Sequence, residues 1–253
     1  MSSLAVGLAT FMCVFSGALL GMLLRRALPA HHLSDASKDV VKLSIGLIAT
    51  TAALVLGLLI ASAKSAFDTQ STEIKQAAAN VLLLDRTLAH YGPETKETRD
   101  VIRRALAYRL ALTWPETGTA STRLDAPEMT PTVEGVEAGI LDLSPGNGSQ
   151  RWLQSRALQL IGDLEQTRWL LFGGIGNTIP IPFLVVLIFW ISFIFLSFGL
   201  FAPPNGTVLV ALLVAALSIS AAIFLIVELD NPFAGLMKIS SAPLRYTLAH
   251  LGQ

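Results

Sequence analysis

Charge is what this chain has least of. Charged side chains make up 14% of its 253 residues, where a soluble domain of ordinary composition carries about 25%. With a mean hydropathy of +0.60, the whole chain cannot be one water-facing globule around a single core. The formal net charge is zero, which removes the electrostatic ground for nucleic-acid binding. One cysteine, Cys13, lies in an apolar run; it excludes an intramolecular disulfide and says nothing about redox compartment. The four histidines, His31, His32, His90 and His250, show no ligand spacing with cysteine or carboxylate partners, so no metal is expected. Phe172–Asn177 is glycine-rich, but no strand pattern precedes it and no Gly-Lys-Ser/Thr follows. A phosphate cradle needs that context, so no cofactor is expected and the run reads as a hinge. The Asn147-Gly-Ser and Asn205-Gly-Thr matches to a glycosylation sequon carry no weight, since such short matches arise by chance. Nothing in the chain has the pattern of an enzyme.

The charge that is present is unevenly placed. Residues 65–170 hold 14 of the 18 acidic side chains and 11 of the 18 basic ones. Outside them lie four uncharged apolar stretches, Leu4–Leu24, Leu43–Ala63, Phe183–Phe201 and Thr207–Val227. Crossing a hydrocarbon core as a helix takes about 20 apolar residues, and each stretch is long enough. The first is not a cleaved signal peptide by pattern: it lacks a basic leading region, its apolar core is too long, and Arg25 and Arg26 follow it as interfacial anchors. The predicted fold is therefore all-α, a polytopic membrane protein with four transmembrane helices and a helical polar domain inserted between spans two and three. Its expected divisions are 1–64 for spans one and two, 65–176 for the extramembrane domain, and 177–253 for spans three and four with a short C-terminal segment.

The polar middle reads as helical. Ile74, Ala78, Val81 and Leu88 share one face, as do Ile102, Leu106 and Leu110, and then Leu153, Ala157, Leu160 and Leu164. Pro93 and Pro115 break the pattern. Residues 124–150 are expected to be an exposed loop with one short helix near Val133–Leu143, and Arg151–Leu171 to run on toward the third span.

Two short signatures bracket the last two spans. Asn177-Thr178-Ile179-Pro180-Ile181-Pro182-Phe183 opens the third, where proline lacks only an N–H that a first turn does not use. Glu228-Leu229-Asp230-Asn231-Pro232-Phe233 closes the fourth, and the residue before a proline is pushed out of the helical region. In this order and spacing they resemble the bestrophin family of pentameric ion channels, and more closely the bestrophin-like group of bacterial membrane proteins. Trp114-Pro115-Glu116 after Tyr108 is similar to the middle domain of that group. Channel bestrophins follow Asn-Pro-Phe with a calcium-binding acidic cluster. Here Ala234–Ser240 contains no carboxylate, and a hard cation needs several oxygen ligands, so no calcium site is expected there.

The resemblance implies a homo-oligomer, a pentamer, in a bacterial inner membrane, with membrane lipid and inorganic ions as its other partners. Lysine and arginine counts near the span ends barely decide orientation; the resemblance places both termini and the polar domain in the cytoplasm. It also implies that the second span lines the neck of a passive ion pathway. On that span Gly46, Thr50, Ala53, Gly57 and Ala61 form a strip of small side chains, which lets helices approach closely in lipid. The neighbouring face offers Thr51, Leu54 (or Val55) and Leu58. Leucine rings gate by dewetting, and threonine hydroxyls replace part of an ion's water. Thr50, Thr51, Leu54 and Leu58 are thus the candidate pore-lining residues. Lys64 either snorkels to the headgroups or forms a basic ring at the pore exit that favours anions. Asn177, Thr178, Pro180, Pro182 and Phe183 either cap and kink the span or hold pore helices in register. Glu228, Asp230, Asn231, Pro232 and Phe233 sit at the other signature; the two acids read as functional, as interfacially solvated, or, for Asp230, as the cap of a helix after Pro232. The alternative to a channel is a non-conducting membrane scaffold or signalling protein whose helical domain docks a partner.

Overall fold

A computed structural model describes residues 2–29, 35–114, 133–173, 180–203, 205–233 and 235–252. Among these residues the regular structure is helical: α1 (Ser3–Ala27), α2 (Asp35–Tyr91), a 3-10 turn (Pro93–Thr95), α3 (Lys96–Thr113), α4 (Val133–Leu141), α5 (Gly148–Gly173), α6 (Ile181–Phe201), α7 (Gly206–Leu229) and α8 (Ala242–His250). Four of them, α1, α2, α6 and α7, are long and apolar enough to cross a membrane. The chain divides into two compact units. One comprises residues 1–67 and 177–238, the other 68–176 and 239–253. Helix α2 is continuous and contributes its first part to one unit and its second part to the other.

The first unit is organised by α1. Its buried stripe is Gly7, Thr10, Val14, Ala18 and Gly21, small residues at spacings of three and four that let a neighbouring backbone approach closely. Gly17 faces Ser192 of α6, where an added Cβ would stand 2.8 Å from the Ser192 carbonyl oxygen. A Cβ on Gly21 would overlap the Leu196 carbonyl, and one on Gly199 would overlap that of Ala18. Only glycine permits this crossing. The order of these contacts makes α1 and α6 parallel, and Arg25 extends the series by donating to the Ala202 carbonyl at the C-terminal cap of α6. That contact places a cation on carbonyls the helix cannot satisfy itself. Gly7 lies against Ser220 and Phe224, and Ser3 bonds to Glu228 further along, so α1 and α7 run antiparallel. From α2, Ala52, Leu59 and Ala63 join the same buried core.

Water-soluble patterning governs the second unit. Leu84 and Leu88 of α2, Ile102 and Leu106 of α3, Ile140 of α4 and Leu160 of α5 close one apolar core. Within it Asp85 is fully buried and accepts two hydrogen bonds from Arg99, at 2.7 and 2.9 Å. That contact holds the Arg99 guanidinium's pKa above its ordinary value. Gly252 N–H also donates to Asp85, at 3.3 Å. Thr247 of α8 donates to the Ala78 carbonyl at 3.0 Å, so the C-terminal helix packs on α2. Trp114, at the end of α3, donates its indole N–H to the Ile239 carbonyl at 2.9 Å. Both sequon asparagines turn out to be helix caps. The Asn147 side chain accepts from Gln150 N–H at the start of α5, and Asn205 accepts from Val208 N–H at the start of α7, each at 2.9 Å.

The expected short helix near 133–143 is α4. The rest of the expected loop between 124 and 132, together with Pro115, falls outside the described residues.

Candidate functional site

The second span presents three faces. Ile45, Ala52, Leu59 and Ala63 are buried in the chain. Opposite them, Thr51, Leu54 and Leu58 are exposed, the two leucines at 64% and 62%. Beside that exposed face, rotated by roughly 90° at 100° per residue, runs the small-residue strip of Gly46, Thr50, Ala53, Gly57 and Ala61, also exposed. A Cβ added at Gly46 or Gly57 would meet nothing within 4 Å. The close approach that this strip permits is therefore not used at Gly46 or Gly57 among the described residues. The equivalent contact is made by Gly17, Gly21 and Gly199. Their Gly-x-x-x-Gly pattern in an apolar run was the signal that could have located it.

Both threonines have their hydroxyls bonded back along the helix, Thr50 to the Gly46 carbonyl at 2.8 Å and Thr51 to that of Leu47 at 2.9 Å. Each hydroxyl oxygen keeps acceptor capacity beyond that bond, and Thr51 is the one that shares a face with Leu54 and Leu58. Lys64, one turn beyond the strip, is exposed, with its Nζ 5.9 Å from the centre of the Phe67 ring.

Because α6 is parallel and α7 antiparallel to α1, the start of α6 and the end of α7 lie at the same end of this helical unit. Pro180 is the N-cap of α6 and Pro182 lies in its first turn; Phe183, exposed, donates its N–H to the Pro180 carbonyl at 3.0 Å. Asn177 and Thr178 fall outside the described residues. At the other signature Glu228 is 2% exposed. Its carboxylate accepts from the Leu236 and Met237 N–H groups and from the Ser3 hydroxyl. Gly235, at φ +88°, makes the turn that brings those two N–H groups round, and a Cβ there would overlap the Glu228 carboxylate. Glu228 is thus an anchor for the segment that leaves α7. Asp230 is the C-cap of α7. The Asn231 side chain donates to the Val227 carbonyl at 2.8 Å, while Pro232 is buried and Phe233 half-buried. Among the described residues the next helix after Pro232 is α8, which begins at Ala242 and lacks a side-chain cap. The signature residues therefore terminate a span and fold the chain back over its end.

Four helices long and apolar enough to span a bilayer, one with two faces exposed among the described residues, point to a helical membrane protein. The sequence pattern of the Bestrophin-like domain matches residues 12–244, and the chain belongs to that family. Membership points to an ion-channel-like role in a membrane, in a family known as channels rather than enzymes. No curated protein and no solved structure matches the chain.

Proposed function

We propose that this protein is an oligomeric channel that conducts ions passively through a neck lined by α2. The observation that carries this reading is the pair of neighbouring faces on α2 that are exposed among the described residues. A helix in a ring needs one face for its neighbour and another, to the side of it, for the axis. The small-residue strip with Thr50 suits the neighbour, and Thr51, Leu54 and Leu58 suit the axis. Leucine rings there would gate by dewetting, with threonine hydroxyls between them. The assembly is a homo-oligomer, a pentamer by family likeness, in a bacterial inner membrane. The helical unit built mainly from residues 68–176 is inserted between spans two and three and forms a cytoplasmic vestibule, with both termini on the same side. Anions are weakly preferred, through a basic ring of Lys64 at the pore exit. Asn177, Thr178, Pro180, Pro182 and Phe183 hold the pore helices in register, and Glu228–Phe233 fixes the end of the fourth span.

Reconstitution in liposomes tests the reading. Chloride flux is expected in wild type, with Thr51→Trp blocking it while the oligomer persists. An intact oligomer without flux, its α2 face turned to lipid, would overturn the channel and leave a scaffold whose helical domain docks a partner.

A further inference from the structure

The glycine crossing between α1 and α6 has an architectural by-product. Where the backbones meet at Gly17 and Ser192 the floor is low, while Leu20 and Leu23 on one side and Phe189 and Phe193 on the other stand up as exposed walls. The result is a groove of about 730 Å³ whose lining is almost wholly apolar. Along α1 it runs from Cys13 to Leu23, about 15 Å at 1.5 Å per residue. That is half of a hydrocarbon core of about 30 Å, the depth of one leaflet. Arg26 stands one turn beyond Leu23 at the end of the helix and is exposed. Its neighbour Arg25 is already engaged with the Ala202 carbonyl; Arg26 is the guanidinium left to face the headgroup layer.

We propose that this groove is a phospholipid site, one acyl chain lying along the floor and the lipid phosphate on Arg26. A planar guanidinium matches phosphate with paired donors. A second copy of the chain, laid in the same groove, would bring mainly apolar span surface up to Arg26, whereas a lipid in the groove brings its phosphate to that depth. The charge at the groove's end therefore favours the lipid. The proposal needs only that α1 and α6 cross a bilayer, and it holds whether or not the assembly conducts.

Native mass spectrometry of the full chain, with phosphatidylglycerol added as probe, tests it. Wild type is expected to carry one lipid per chain. Arg26→Gln should weaken retention roughly tenfold, the loss of one charge-assisted contact. Leu20→Trp, which fills the groove from an exposed position, should abolish retention, while Leu8→Trp on another exposed part of α1 should match wild type. Equal retention by all four proteins overturns the proposal. So does competition by glycerol phosphate as effective as by the whole lipid, which would reduce the site to an anion contact. A lipophilic maleimide that reaches Cys13 only after the oligomer is dissociated would give the groove to a second copy and overturn it too.

Discussion

Replacing Arg99 by methionine leaves the fully buried Asp85 carboxylate, among the described residues, with one weak donor, the Gly252 N–H at 3.3 Å. Breaking a buried ion pair from one side costs about 3–5 kcal/mol, because the remaining charge stays desolvated. The two sides of this pair are not equivalent. Asp85 is 0% exposed and the Arg99 side chain 19%, so an orphaned Arg99 still reaches water and an orphaned Asp85 does not. Arg99→Met should therefore cost about 5 kcal/mol and Asp85→Leu about 3. Asp85→Leu with Arg99→Met should recover most of the loss, since apolar replacement of a whole buried pair is often neutral. The assay is thermal unfolding of the purified protein in detergent, followed by far-ultraviolet circular dichroism and by proteolysis of the 68–176 unit. Two results would refute the reasoning: Arg99→Met unfolding no earlier than Asp85→Leu, or a double variant no more stable than the worse single one.

Valine at Gly21 or Gly199 drives a side chain into the opposing backbone and should cost about 1–3 kcal/mol, read as a lower unfolding midpoint. Valine at Gly46 or Gly57 meets nothing within the chain; it should leave that midpoint unchanged and shift the oligomer distribution in size-exclusion chromatography. Trp114→Phe removes the hydrogen bond to the Ile239 carbonyl, a loss of about 1 kcal/mol that hydrogen exchange at residues 239–241 should register. Glu228→Ala leaves the Leu236 and Met237 N–H groups without their acceptor and should open the 235–238 turn to limited proteolysis. In the proposed channel, Leu58→Thr should raise ion flux in liposomes by wetting the constriction, and Lys64→Glu should move the reversal potential toward cations.

The four spans were legible because nothing competes with an uncharged apolar run of some 20 residues. α1, α6 and α7 extend the expected stretches by only a few residues at either end. Amphipathic spacing also served in the polar middle, where Ile102, Leu106 and Leu110 are, with Thr98, the buried positions of α3. The buried ion pair was not legible. Asp85 and Arg99 are 14 residues apart on different helices, and a carboxylate followed later by an arginine is no pattern until the chain folds back at Pro93. The same holds for Trp114. It stood out in the sequence as half of a Trp-Pro pair, yet its partner is a backbone carbonyl 125 residues away, which no side-chain pattern encodes.

The candidate site was legible to a different degree, and the reason lies in what small residues can say. A strip of Gly, Ala and Thr at helical spacing announces that a backbone can come close, never whose backbone. The chain carries two such strips. In α1 the partner is α6 and the contact is complete, with Cβ positions on Gly21 and Gly199 filled by opposing carbonyls. In α2 the same spacing faces open space, although the helix has a separate buried face of Ile45, Ala52, Leu59 and Ala63. Had the α2 strip served packing within the chain, it would coincide with that buried face; it lies on another. An exposed Gly-and-Ala strip weakens a helix through its glycines and gains no packing in return among the described residues, which is why the proposed assembly assigns its counterpart to a neighbouring chain. Deleting the strip's small size should then separate assembly from folding, which is the distinction the paired valine substitutions draw.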